Sequence, residues 1–332
     1  MTTVPELAFP HAQPLASQIR FLCSYGILAP SVHNIQPWEF HPEDNRLIIR
    51  LSRQRALREG DATGRQTWIS IGACIANIEV AAAHFGLKTR LERIEFGRHD
   101  HPDSITLTFS KGSKPTDEAR FEAISARFSD RSLYDSRPIK PGSLNAIARS
   151  GSDSATVSTS TDPAVIDRVA ELTGKGIAAA FSNPAFRREL ASLIAPHERT
   201  AHGFTPKALG LKPLRGRLEP HLVRYGLNAK AQATLECDRM ASASALIAVA
   251  TTGDTPLHWI DAGRAYERAL LTATALGLRS TTTAAVVEAF DFHLDIEQLL
   301  GTGKRLQVVG RLGYSQAPAH HAPRLPLSAV LH

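Results

Sequence analysis

The sequence predicts an α+β fold built from two tandem, related units within one chain. Three observations predict it. The chain has 332 residues, 43% of them hydrophobic, a length that suits two units of roughly 150 residues. Its apolar spacing switches between the helical and the strand period, with a hairpin signature early in the chain. One stretch recurs in outline: Gly72 to Leu87 reads GACIANIEVAAAHFGL and Gly263 to Leu278 reads GRAYERALLTATALGL. Both begin with glycine, both end in Gly-Leu at the same spacing, and a basic residue follows each, Lys88 or Arg279. Equal capping and close-approach glycines on two long apolar helices point to two copies of one unit. The plainer alternative is that any two buried helices can end in Gly-Leu.

In chain order, Ile19, Leu22, Cys23 and Ile27 give residues 16–28 a helical spacing. A turn at Ala29-Pro30-Ser31 follows. Trp38 and Phe40 begin a strand, 41–45 turn, and 47–51 return as a second strand. Trp68, Ile71, Ile75 and Ile78 mark one face of a helix over 65–84, which Gly86 stops. Strands are expected at 89–97 and 104–109, and a helix at 117–127. Residues 163–195 read as helices broken at Asn183-Pro184. Residues 196–227, rich in Pro, Gly, Lys and Arg, show little period and read as a long excursion or a lid. A helix near 228–240, a buried strand at 243–251, a helix at 257–276 closed by Gly277, and a strand at 305–311 complete the pattern.

The formal charge of +6 and pI of about 9.4 allow an anionic ligand without demanding nucleic acid, since the basic residues are scattered and aromatics make up only 6%. No run of about 18 apolar residues is present, and the first 18 residues carry no signal pattern. A cytoplasmic protein with no membrane partner is the expectation. Cys23, Cys74 and Cys237 form no CxxC pair, and the first two read as buried structural thiols.

Two segments carry chemistry. In Ala29-Pro30-Ser31-Val32-His33-Asn34-Ile35-Gln36-Pro37-Trp38, Ser31 and Asn34 are short polar groups on a turn stiffened by Pro30 and Pro37. Such a turn offers a ring system side-chain groups and backbone amides, or it is an ordinary helix-to-strand turn. In Arg127-Phe128-Ser129-Asp130-Arg131, two guanidinium forks and a hydroxyl at a helix end suit a phosphate. The alternative is a solvated basic helix end.

The first segment resembles the Pro-Ser-x-x-Asn-x-Gln-Pro-Trp turn of the FMN-dependent nitroreductase superfamily, and the second resembles its Arg-x-Ser-x-Arg phosphate motif. In ordinary members the phosphate motif comes first on each chain, and each FMN takes one motif from each of two subunits. Here the order is reversed and each half keeps one motif. The chain is thus similar to the fused Acg-type branch, and the resemblance implies a nitroreductase-like fold forming an intrachain pseudo-dimer with one FMN. It covers most of residues 15–330, with a first half at 15–112 and a second at 113–330 that carries the lid-like excursion about 196–227.

Carried over, the resemblance implies that Arg127 holds the phosphate, Ser129 the phosphate or ribityl chain, and Arg131 the N1–O2 edge of the ring. Pro30, Ser31 and Asn34 approach the flavin from the other half. Arg324, in Ala322-Pro323-Arg324-Leu325-Pro326, is a third phosphate candidate. Asp61 and Arg65 read mainly as groups that cap the long helix and tie it down. No catalytic side chain is implied, because the flavin performs the redox chemistry. The implied activity moves hydride from NAD(P)H to a nitro compound, quinone or similar small acceptor. A flavin-sequestering protein under a closed lid is the rival, and a basic nucleic-acid-associated protein is the third reading. One chain suffices for one FMN site, and further dimerisation stays open. Gly301-Thr302-Gly303-Lys304 and Gly174-Lys175-Gly176 lack the spacing of a phosphate loop, no GxGxxG, GxSxG or HExxH occurs, and His99 with His101 lacks further metal ligands.

Overall fold

A computed structural model describes residues 8–97, 103–113, 117–198 and 200–332. Helix α1 (Leu15–Gly26) leads into the hairpin β1 (Trp38–Glu43) and β2 (Arg46–Leu51), which turns at Asp44 with φ +46°. Helix α2 (Arg65–His84) begins where the buried Asp61 carboxylate accepts the amides of Gln66 and Thr67, at 2.9 and 2.8 Å. Those amides lack helical partners, and a carboxylate suits the positive end of the helix. Strands β3 (Leu87–Glu95) and β4 (Ser104–Lys111) follow, then α3 (Glu118–Ala126) and α4 (Pro141–Ala148).

The second part runs β5 (Ala155–Ser160), α5 (Pro163–Ser182), α6 (Pro184–Leu193), α7 (Pro213–Arg224), α8 (Ala229–Ala241), β6 (Ala245–Thr251), α9 (Pro256–Ala275), β7 (Arg279–Thr283), α10 (Ala285–Glu288), α11 (Phe292–Leu300) and β8 (Arg305–Gly313). None of the described helices is long and apolar enough to cross a membrane.

The strands form two four-stranded sheets of the same topology, ordered β1-β2-β4-β3 and β5-β6-β8-β7, with every neighbouring pair antiparallel. In each sheet a 20-residue helix, α2 or α9, joins the second strand to the third. These two helices lie between the sheets and cross where Gly72 meets Gly263. A Cβ on Gly72 would stand 2.2 Å from the Ile260 carbonyl, and one on Gly263 would stand 2.1 Å from that of Ile69. Both helices stop at equivalent glycines in left-handed backbone, Gly86 at φ +77° and Gly277 at φ +76°. The repeated glycines of the sequence are thus the helix crossing and the helix stops.

One core lies between α1, α2, α3 and the first sheet, around Trp38, Phe40, Ile49, Ile105 and Leu107. A second lies between α9, α4 and the second sheet. The other face of the second sheet is covered by α5, α8, α10 and α11, so β6 is buried along its whole length. The C-terminal tail crosses back to the first sheet, where Phe40 exchanges backbone bonds with Val330 and His332 at 2.7 and 2.9 Å.

The element expectations hold in type for α1, β1 to β4, α2, α3, α5, α6, α8, β6, α9 and β8. The 196–227 segment needs a correction, because α7 lies inside it. Gly216 and Pro220 interrupt its apolar spacing, yet Pro213 sits at the helix start, where a missing N–H costs nothing. Gly216 lets Pro206 pack against the helix, since a Cβ there would meet Pro206 Cβ at 2.4 Å. Around it, Phe181, Ala191, Ile194, Phe204 and Val223 make a small separate core. The sequence reading also has no counterpart for α4, β5, β7, α10 and α11.

Candidate functional site

Pro30, Ser31, Asn34, Arg127, Ser129, Arg131 and Arg324 all line one pocket. The two motifs reach it from different supports. The turn is held by the first half and the tail. Val32 N–H donates to Ser70 Oγ of α2 at 3.1 Å, and Ser31 Oγ accepts the Gln36 amide at 3.0 Å. His33, Asn34 and Gln36 all have positive φ, of 46°, 58° and 51°. Three non-glycine residues in left-handed backbone within four positions store strain that the surrounding bonds must offset, a pattern typical of ligand sites.

Those bonds are extensive. The Asn34 side-chain amide donates to the carbonyls of Gly203 and Pro323, at 2.9 and 3.0 Å. Gln36 Nε2 donates to the Ala201 carbonyl at 2.6 Å, and Gln36 Oε1 accepts the Leu325 amide at 2.8 Å. The turn therefore ties the 201–204 segment and the tail to the first sheet.

The arginine segment is held by the second half. Asp130 N–H donates to the Ser280 carbonyl of β7 at 3.0 Å, extending that sheet edge. The buried Arg311 guanidinium donates to the carbonyls of Asp130 and Ser132, at 3.1 and 2.7 Å. Arg127 ends α3, with its Nε 3.1 Å from Glu267 Oε1 of α9 and its Nη2 donating to the Leu28 carbonyl at 3.2 Å. Arg131 points elsewhere. Its Nη1 donates to the Ala208 carbonyl at 2.8 Å, and its guanidinium lies 5.3 Å from the Phe204 ring centre. Arg324 is clamped to the turn. It donates to the carbonyls of Ile27, Leu28 and Ala29 and to Asn34 Oδ1, at 2.9 to 3.2 Å.

The pocket is electropositive. Three arginines and three histidines (His33, His320 and His321) line it, and no carboxylate among the described residues does so. Burial pulls Arg131 down from its ordinary value, and burial together with the Arg127 charge pulls Arg324 down to about 9. Burial and the charges of Arg127 and Arg324 depress His321, while burial lowers His33 to about 4. Burial raises the Glu267 carboxyl, against the opposing pull of Arg127 and Arg324. Arg127 thus sits against one fully buried carboxylate, which also feels the charge of Arg324. A bound anion would satisfy the surplus positive charge.

Several of these participants are absent from the sequence reading of the site: Glu267, His33, Ala208, His320 and His321. Phe204 lies in the 196–227 segment that the sequence marks as a long excursion or a lid. Glu267 had a visible signal, a carboxylate four residues after Gly263 in the repeated helix, just before its apolar run from Ala269. Asp61 and Arg65 lie outside the pocket. Asp61 caps α2, and Arg65 ties it to the second half through Glu288 at 2.6 Å and the Gln307 carbonyl at 2.7 Å. Cys23 and Cys74 are buried, and burial raises both thiols. His99 and His101 lie outside the described residues.

The fold and pocket define a two-sheet α+β protein with an electropositive cleft built from remote parts of its chain. The nitroreductase family model matches residues 124–314, more than half of the chain, and the protein belongs to the nitroreductase family. A Mycobacterium tuberculosis relative with the provisional name NAD(P)H nitroreductase Rv3131 is 26% identical, over 96% of this chain and 92% of its own. The uncharacterized protein Rv3127 of the same organism is 28% identical, over 91% and 89%. Among solved structures, the FMN-dependent nitroreductase NfnB from Mycobacterium smegmatis in complex with NADPH is 17% identical, over 65% of this chain and 97% of that one, with a TM-score of 0.40.

Proposed function

We propose that the chain binds one FMN in this pocket and serves as an NAD(P)H-dependent oxidoreductase acting on a nitro compound, quinone or similar small acceptor. The observation that carries the reading is the convergence of the Pro30–Asn34 turn and the Arg127–Arg131 segment on one electropositive pocket. The equal order of the two sheets and the Gly72–Gly263 crossing support the finer reading of the chain as a fused pseudo-dimer, divided into halves at 15–112 and 113–330.

In this reading Arg127, Ser129 and Arg324 hold the phosphate. Pro30, Ser31 and Asn34 bound the ring and ribityl region, and Arg131 places a cation where the ring gathers negative charge. FMN supplies hydride transfer, from NAD(P)H to the acceptor. The chain's own groups bind, orient and exclude water, and a bound phosphate would oppose the pull of burial on Arg324 and His321.

A second reading is favoured by the 201–208 segment. Asn34, Gln36 and Arg131 all bond to its backbone, and the enclosed space is about 100 Å³, below the usual range of about 300–1,000 Å³ for ligand sites. A cover held this way supports flavin sequestration with little turnover. The anaerobic visible spectrum of purified protein, before and after NADPH, separates the two. Fast bleaching of a flavin spectrum supports the oxidoreductase. A flavin spectrum that stays oxidised supports sequestration, and a colourless protein that takes up no FMN overturns both.

A further inference from the structure

The outer face of α7 and the turn after it is mostly apolar, with His221 as the polar group within it. Leu214 is 73% exposed, Leu218 52%, Tyr225 59% and Leu227 67%. At about 100° per residue, Leu214, Leu218, the exposed His221 and Tyr225 share a sector of about 60°. That sector lies opposite the buried Gly216, Glu219 and Val223. Arg217 and Arg224 flank the stripe on one side and Arg215 on the other, with Lys212 before it and Lys230 after it. The one carboxylate of α7, Glu219, is buried and engaged by Arg215, Asn228 and Gln232, at 2.9, 2.7 and 3.0 Å. A helix on a globular surface normally turns charge outward where this one turns leucine.

We propose that α7 is an interfacial helix that seats this stripe in the headgroup region of an anionic phospholipid surface. The chemistry matches on both counts: aliphatic and tyrosyl groups enter the interface, and the flanking arginines and lysines meet lipid phosphates. A second copy of the chain fits less well. Antiparallel pairing of two α7 stripes sets Arg217 and Arg224 against the same residues with no exposed acid on either helix. Nucleic acid also fits less well, because the centre of the stripe is aliphatic. The sequence expectation of no membrane partner rests on the lack of a spanning segment, which a helix lying on a surface does not need.

The inner face of α7 rests on Pro206 through Gly216, and Phe204 and Ala208 on either side of Pro206 line the pocket. Docking thus holds the cover of the pocket against lipid, where a lipid-soluble acceptor such as a quinone concentrates. This last link rests on the proposed oxidoreductase reading, whereas the docking does not.

The test is flotation of the full chain with phosphatidylcholine vesicles, with and without phosphatidylglycerol. Binding is expected only with phosphatidylglycerol and weakens as salt rises. Leu214→Ser/Leu218→Ser, which keeps every charge, lowers the bound fraction by about tenfold or more. In Tyr225→Trp the added emission shifts to the blue on binding. Several results overturn the proposal: no binding at low salt, equal binding by the serine variant, competition by duplex DNA that the serine variant shares, or a solution dimer that the serine variant dissociates. Flavin content read in the same samples keeps failure of the docking distinct from failure of the cofactor reading.

Discussion

Arg127 and Glu267 are locked together in the interior, with side chains 2% and 0% exposed, so a simple truncation at either one confounds binding with folding. Arg127→Ala strips a buried carboxylate of its nearer partner, a loss worth about 3–5 kcal/mol of stability. Arg127→Met/Glu267→Gln removes the charge on both sides and is expected to regain most of that stability. FMN retention, in contrast, is expected to stay at least about tenfold weaker in both variants, because a charge-assisted bond to phosphate is worth about 1.5–3 kcal/mol. Equilibrium dialysis beside urea melts checks this, and full FMN affinity in the double variant removes Arg127 from the phosphate site. His33 gives a separate prediction. Its ring packs 5.7 Å from that of Phe204, its Nδ1 has no hydrogen-bond partner, and burial lowers its pKa to about 4. The folded state therefore binds fewer protons than the unfolded chain between pH 4 and the ordinary value of about 6.5. Its contribution is complete above that value and is lost as pH falls toward 4. His33→Asn, which suits the positive φ, should shrink the fall in melting temperature between neutral and acid pH. An unchanged acid sensitivity places the effect on other groups. The sequence made Ser31, Asn34 and the arginines legible because local motifs carry them. Ala208 and Phe204 meet Arg131 from 77 and 73 residues further along the chain and Glu267 meets Arg127 from 140 residues further along, and no local pattern encodes that closure.

Among the elements, the crossing of α2 and α9 does more than separate two sheets. Ser70, two residues before Gly72, receives the Val32 amide and so supports the turn. Glu267, four residues after Gly263, faces Arg127. One crossing thus sets the distance between the two parts of the pocket. Gly263→Val places a Cβ 2.1 Å from the Ile69 carbonyl and 3.0 Å from Gly72 Cα, which forces the helices apart at a cost of about 1–3 kcal/mol or more. The expected outcome is a lower denaturant midpoint together with weaker FMN retention. Gly142→Ala, in α4 where a new Cβ meets nothing within 4 Å, is the control and should lower neither, since alanine favours the helix. A stable Gly263→Val protein would remove the crossing as a spacing device. These helices were readable because their glycines repeat and their apolar runs are long. Strands β5 (ATVSTS) and β7 (RSTTT) were not, since serine and threonine make them look like linkers although β-branched threonine favours a pleated surface. Helix α7 escaped because Gly216 and Pro220 mask a stripe that becomes visible only once its buried face is known.

At the scale of the whole molecule, the parts of the pocket come from points far apart in one chain: the turn near residue 30, the segment at 127–131, the cover at 201–208 and the tail near 324. The tail is the closing piece. Arg324 bonds to four oxygens of the turn region, and Val330 and His332 then join the edge of the first sheet beside Phe40. A pocket closed within one chain needs no second subunit, whereas a site shared between subunits gains occupancy with protein concentration by mass action. The fused reading therefore predicts one FMN per chain, retained in monomers at the lowest concentration that sedimentation velocity with flavin absorbance can follow. It also predicts that cutting the chain before Ala322 releases flavin although both motifs remain, because Arg324 and the strand pairing of the tail are lost together. Two flavins per chain would contradict the loss of one motif from each half. Flavin that sediments only with dimers would show that the pocket is completed between chains, and the pseudo-dimer reading would then fail even if every residue assigned to the phosphate proved correct.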